Sequence, residues 1–153
     1  MRRGILLFLA LIATFVEGCG SGDPVVSVDD SNVEMNKAME TARSTFPQFL
    51  KNWKSMPNDG VSIKFGLPTK DGSVEHIWFE PIEISDDTVK ASCGNDPVNV
   101  DGLKLGDVRT FKRSEITDWM ILSGARCYGG YTVRVLVKME PENAPPLEFV
   151  DFE

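Results

Sequence analysis

The chain of 153 residues is poor in the side chains that usually announce chemistry: one histidine and three widely separated cysteines. With no close Cys or His spacing, a tetrahedral ligand set cannot come from neighbouring positions, so neither a metal nor any other cofactor is expected. No Cys-x-x-Cys pair and no cysteine at an evident helix start is present, which leaves nothing to lower a thiol pKa for catalysis. Gly129-Gly130 lacks a following P-loop lysine and is read with no helix start after it. It is therefore read as a pair allowing positive φ in a hairpin or bulge, not as a phosphate cradle. Positive charge is also short, with 16 Lys and Arg against 23 Asp and Glu, a net charge of -7. Lys104, Arg109, Lys112 and Arg113 are broken up by acids and turns, so no nucleic-acid partner is expected. No apolar run reaches the roughly 20 residues that a permanent membrane helix needs, and no internal repeat is visible.

What is present begins at the N-terminus. Arg2 and Arg3 precede an apolar run over residues 5–16, and Gly18-Cys19 follows it. A cationic start, a short apolar run and a small residue before the cut form a bacterial export signal, so residues 1–18 are expected to be removed. Val16-Glu17-Gly18-Cys19 is similar to the lipobox, whose cysteine becomes acylated, although Glu17 departs from the pattern. Lipidation of Cys19 is one expectation and ordinary cleavage leaving a free thiol the other. Residues 19–31 read as a flexible tether, since Gly20, Ser21, Gly22 and Asp23 have little bulk to pack. An extracytoplasmic, membrane-anchored location follows.

That location bears on the other cysteines. In an oxidising compartment Cys93 and Cys127 form an even pair, and a disulfide between them would close a loop of about 35 residues, with a stabilisation of about 3 to 4 kcal/mol. The alternative is two buried thiols acting as small core hydrophobes.

The hydrophobic content of 42% suits one globular domain, placed over 32–139 with a Pro-rich tail over 140–153. Asp30-Ser31 offers an N-cap and Glu34 a capping-box partner. Met35, Met39, Ala42, Phe46, Phe49, Leu50 and Trp53 then recur at spacings of three and four, on one helical face read as core packing. Pro47 predicts a break, with Thr45 capping a second helix. After Gly60 the apolar period falls to two. Strands are expected over 61–67, 74–84, 88–93, 98–100 and 108–111, a helical turn over 114–117, and a last hairpin of 119–122 with 131–139. The tail reads as extended and loosely held, with Leu147, Phe149 and Phe152 able to dock. The fold class is α+β: a bent N-terminal helix followed by a curved antiparallel β-sheet in a single domain.

Several short motifs point to one family. They are Glu34-Met35-Asn36, Phe46-Pro47-Gln48-Phe49, Glu75-His76-Ile77-Trp78, Gly102-Leu103-Lys104-Leu105-Gly106-Asp107, Ile116-Thr117-Asp118-Trp119-Met120 and Gly129-Gly130-Tyr131-Thr132-Val133-Arg134. Together, from about Val33 to Val137, they resemble the YegJ-like family, a bacterial domain of unknown function (2314). The resemblance implies the fold and an often secreted, lipoprotein-like context, and it implies no activity. Cys93 and Cys127 depart from its pattern, so a disulfide would be this chain's own addition.

His76 is the weak catalytic candidate, because imidazole titrates near neutrality and Glu75 and Glu80 lie nearby. Strand alternation turns Glu75 away from it, however, and no nucleophile is placed beside it. A structural histidine, bonded to backbone or to a carboxylate such as Asp118, is the favoured reading. Asp118 itself is expected to fold back onto Ser114 or neighbouring amides. Trp78, Trp119 and Tyr131, with Arg134 at the rim, form a candidate aromatic wall of the kind that grips a protein or glycan. The leading expectation is a non-catalytic binding or interaction module of the cell envelope with a protein partner, held to the membrane by an N-terminal lipid. A structural or housekeeping lipoprotein is the alternative, and an envelope hydrolase using His76 the third.

Overall fold

The computed structural model describes the backbone of residues 4–8 and 25–29 and the whole of residues 32–153. Strands β1 (Gly4–Phe8) and β2 (Val25–Asp29) precede helix α1 (Val33–Asn52). Then come β3 (Gly60–Pro68), β4 (Val74–Ile84), β5 (Thr88–Cys93), β6 (Val108–Lys112), β7 (Ile116–Ser123), β8 (Arg126–Gly129), α2 (Tyr131–Met139) and β9 (Glu148–Val150). Among the described residues the strands form one nine-stranded sheet in the order β2-β1-β4-β3-β7-β8-β9, with β5 and β6 extending it from the C-terminal half of β4. The pairs are antiparallel except β1·β4 and β8·β9. The fold is α+β in a single domain, as the change of apolar period at Gly60 implies.

α1 starts where Asn32, not Asp30 or Ser31, accepts the Met35 amide at 2.9 Å. It runs through Pro47 as one helix. The expected break is overridden because both sides of the proline are anchored. Ala42, Phe46 and Phe49 are buried in the larger core cluster with Ile63, Phe65, Ile121 and Trp119. Trp119 also donates its indole N–H to the Ala42 carbonyl at 2.9 Å. The first turns pack Met35, Ala38 and Met39 into a second cluster with Trp78, Met120, Val133 and Leu136.

Three further expectations change. Residues 98–100 are loop, because the Glu75 carboxylate takes the Val98 and Asn99 amides at 2.7 and 2.8 Å in place of a ladder partner. Residues 131–139 are helix α2, not a strand, and the partner of β7 is β8. The tail is docked: β9 pairs with β8, and Phe152 stacks on Tyr128 at 4.5 Å between centroids. Separately, β2 lies inside the segment read as a tether and β1 inside the segment read as an export signal; Cys19 lies outside the described residues.

The expected disulfide is corrected as well. Cys93 and Cys127 are free and buried. Cys93 is on β5 and Cys127 on β8, with β4, β3 and β7 between them. Four strand spacings of about 4.8 Å separate them by roughly 19 Å along the sheet, far beyond disulfide reach.

Candidate functional site

The densest polar arrangement lies inside the protein. β3 is central, and its Lys64 stands opposite Trp78 of β4 and Asp118 of β7, so the three side chains share a face. Sequence alternation in β3 sets Ser62, Lys64 and Gly66 against Ile63, Phe65 and Leu67, which reads as a wet face and a dry one. α1 and α2 cover the polar face, and Lys64 is fully buried.

Lys64 Nζ lies 2.7 Å from Thr132 Oγ1 and 4.3 Å from the Trp78 ring centroid. The Thr132 hydroxyl in turn donates to Asp118 Oδ2. Ammonium and carboxylate are thus joined through a hydroxyl. Asp118 Oδ2 also accepts the Thr132 amide at 2.8 Å, and Oδ1 accepts the amides of Trp119 and Tyr131 at 2.8 and 3.1 Å. Tyr131 and Thr132 are the first residues of α2, so a carboxylate from another strand caps that helix where its dipole favours negative charge. A helix does begin after Gly129-Gly130, contrary to expectation, and Asp118 holds its first amides in place of any phosphate. Asp118 takes the neighbouring Trp119 amide, as expected, and caps α2 in place of Ser114.

Burial lowers the Lys64 pKa from 10.5 to about 8, opposed by the charge of Asp118. Burial likewise raises the Asp118 carboxyl, opposed by Lys64 and by the hydrogen bonds from Thr132 and Trp119.

His76 sits on the same face, over Gly66, where a Cβ would come within 3.2 Å of its Cε1. Its Nδ1 is 3.0 Å from Thr117 Oγ1, and that hydroxyl donates to the Lys64 carbonyl at 3.2 Å. With the single hydroxyl proton committed, His76 Nδ1 carries the donating proton. Thr117 reaches this place because the β3·β7 register shifts between Lys64 and Phe65. Burial, then the nearby Lys64 charge, push the His76 pKa from 6.5 to about 3. The imidazole is neutral, buried and bonded to a hydroxyl, the structural role favoured from its surroundings but with a different partner. Glu75 points the other way, and Glu80 is exposed.

The aromatic wall does not exist as a surface. Trp78 and Trp119 are 2% and 0% exposed, and they lie on opposite faces of the sheet, Trp78 beside Lys64 and Trp119 beside Ile63. The two rings belong to different core clusters. Tyr131 packs edge-on against Trp119 at 5.8 Å. Arg134 lies over the Tyr131 and Phe149 rings and donates to the carbonyls of Gly129 and Val150 at 3.1 and 3.0 Å and to the Asp151 carboxylate at 2.9 Å. It fastens the tail. The buried thiols are inert: burial pushes Cys127 up to about 12, with Asp118 adding to it, and burial also raises Cys93.

Sequence reading passed over Lys64, Thr132 and Thr117. A single polar residue in an alternating strand is usually solvated, and only the shared parity of Lys64, His76, Trp78 and Asp118 hinted at one buried layer.

An open site lies elsewhere. A groove of about 710 Å³ runs between α1 and the β5·β6 hairpin, lined by Arg43, Phe46, Pro47, Asp86, Asp87, Thr88, Lys112, Arg113, Ser114 and Ile116. Arg113 sits 5.3 Å from the Phe46 ring centroid and donates to the Asp86 carbonyl at 2.8 Å. Arg43 spends one contact, 3.3 Å, on the Ile116 carbonyl. Cations and carboxylates therefore flank an aromatic floor, a surface suited to holding a chain segment and without a base or nucleophile set on a substrate.

Comparison with known proteins agrees with the motifs. The family model described as an uncharacterised protein conserved in bacteria (DUF2314) matches residues 32–144. The chain is 28% identical over 141 residues to the uncharacterised protein YegJ of Escherichia coli strain K12, covering 92% of each. It is 26% identical over 125 residues to a putative ankyrin repeat protein of Neisseria meningitidis serogroup B, covering 75% of this chain and 49% of that protein. No solved structure matches. The chain belongs to the DUF2314 family.

Proposed function

With membership of that family as the premise, we propose that the protein is an exported, lipid-anchored, non-catalytic binding module of the cell envelope that meets a protein partner through the α1·β5·β6 groove. One observation carries this reading: the titratable cluster and the open groove are separate places. Lys64, His76 and Asp118 are buried with structural partners, whereas Arg43, Asp86, Asp87, Lys112 and Arg113 line accessible space. The leader and Cys19 support export and anchoring from the sequence side.

The test is crosslinking in intact cells followed by affinity purification, comparing wild type with a Lys112→Glu, Asp87→Lys variant of unchanged melting temperature. A partner lost only from the variant supports the groove. Equal recovery from both places the contact elsewhere. A Cys19→Ser variant that stays with the membrane fraction removes the lipid anchor.

The structural-lipoprotein reading has its own support in Trp119 and Asp118, which are buried and hydrogen-bonded, and in Arg134, which ties down the tail. On that reading the groove variant behaves as wild type and no specific partner is recovered. A hydrolase centred on His76 has no such support, since no cleft among those described reaches the imidazole.

A further inference from the structure

β4 shares one of its edges between two neighbours. Its C-terminal half pairs with β5 from Phe79 to Ile84, and its N-terminal half pairs with β1 through Ile5↔Val74, Leu6↔Glu75 and Leu7↔His76. Asn95 stands at the junction, its side-chain oxygen accepting the Trp78 amide at 2.9 Å while the Gly94 amide donates to the Trp78 carbonyl at 2.9 Å. The backbone of Trp78 therefore faces this edge, and by alternation so do those of His76 and Val74. β1 is the strand that satisfies them.

β1 lies in the segment read as a removable leader. Its departure leaves the amides and carbonyls of Val74 and His76 along a ready edge, with well-fixed ends. At one end Glu75 pins residues 98 and 99, and Asn95 holds Trp78. At the other, Asp71 closes the turn by accepting the Ser73 amide at 3.0 Å. The side-chain amide nitrogen of Asn95 is buried and has no acceptor among the described residues, a donor left over at the same place.

We propose that the edge of β4 from Val74 to His76 is a strand-acceptor site which, once the leader is removed, takes an extended, aliphatic segment of a partner polypeptide running parallel to β4. The occupant is specified by what already sits there: an Ile-Leu-Leu run in extended form and parallel register. Main-chain hydrogen bonds supply affinity in this mode of recognition, so direction and extended shape matter more than an individual side chain. The inference rests on the export reading, which makes the leader temporary. It adds to the groove, which lies at the Thr88 end of β5, a second contact surface beyond the Cys93 end.

The probe is a peptide of residues 2–10, kept soluble by Arg2 and Arg3. It is added to a chain starting at Cys19 and carrying Cys19→Ser, and hydrogen exchange of the His76 amide is followed. In parallel register Leu6, opposite Glu75, is the residue whose N–H and C=O reach the carbonyl of Val74 and the amide of His76. The peptide is expected to slow His76 exchange at least tenfold, and a Leu6→Pro peptide, which lacks that N–H, to bind at least tenfold more weakly. In the full chain, Leu6→Pro should expose the His76 amide with the circular dichroism spectrum retained; that variant carries the test if the shortened chain does not fold.

No change at His76 on saturation with peptide overturns the proposal. So does protection of that amide in the shortened chain without peptide, because residues 25–29 would then have moved into the edge. If the peptide binds but cells keep the leader on the protein, the export reading fails and the edge belongs to β1 itself, which overturns the partner site; failure of the peptide to bind the shortened chain overturns the acceptor edge while leaving export standing.

Discussion

Asp118 shows how one residue can hold two elements. Its carboxylate receives three backbone amides and the Thr132 hydroxyl, and through that hydroxyl it meets the Lys64 ammonium. Asp118→Asn replaces one acceptor oxygen with a donor and leaves the Lys64 charge without its counter-charge. It is expected to cost about 3 kcal/mol or more in urea unfolding. Lys64→Met on the Asp118→Asn background should cost less than on wild type, since each partner is expensive chiefly when the other is left alone. His76 makes a separate claim. Its folded pKa of about 3 lies below the ordinary 6.5, so the folded state resists the proton that the unfolded chain accepts. The associated stability is complete above pH 6.5 and is lost as pH falls from 6.5 towards 3, by an amount on the order of 5 kcal/mol. Urea titrations across that range should show a steeper loss for wild type than for His76→Asn, whose side-chain amide can keep the bond to Thr117. Parallel curves would mean that the imidazole is not held neutral.

At the scale of elements, α2 is the instructive case. Tyr131, Val133, Val135, Val137 and Met139 alternate with Thr132, Arg134, Leu136 and Lys138, and the segment is rich in β-branched residues, so local preference reads strand. The context reads helix. Asp118 caps the first turn, the Arg134 amide bonds the Gly130 carbonyl at 3.0 Å, and the buried residues 132, 133, 135 and 136 are spaced for a helical face. Gly129 makes the turn into α2 possible. With φ at +76°, a Cβ there would stand 2.3 Å from the Trp119 carbonyl oxygen and 2.6 Å from its ring. Gly129→Ala is expected to destabilise by more than about 3 kcal/mol, because the contact is with backbone and a fully buried indole. A melting temperature within two or three degrees of wild type, about 1 kcal/mol or less for a domain of this size, would show that the crossing at Trp119 is looser than described.

Across the whole molecule the described residues form one sheet with two core clusters, and that arrangement decides the fate of Cys93 and Cys127. β5 and β8 stand on opposite sides of three strands, so Cys93 and Cys127 stay apart. Alkylation in denaturant without reductant should label both thiols of the purified domain, and native protein should resist labelling because burial raises both pKa values. An oxidised monomer with a Cys93–Cys127 bond would require a rearranged sheet. The separation also gives the proposed function its outline: a polar cluster inside that stabilises, and a groove with charged walls outside that is free to bind.

Much of this organisation was already legible as pattern. The 3.6-residue period of α1, the change to period two at Gly60, and the turn residues around the β3·β4 and β4·β5 hairpins are local signals, and they set the helix, those strands and the α+β class. The family motifs were legible too, since they are strings of residues. Tertiary structure alone decided which polar residues are buried, which end of α2 is capped and from where, and whether two cysteines can meet. Each of those depends on elements distant in sequence: Lys64 looks solvated until α1 and α2 cover it, residues 131–139 look extended until Asp118 arrives from β7, and Trp78 and Trp119 look like one surface until the strand registers bury them on opposite faces of the sheet. Periodicity reports what one element prefers, and burial reports what its neighbours do to it.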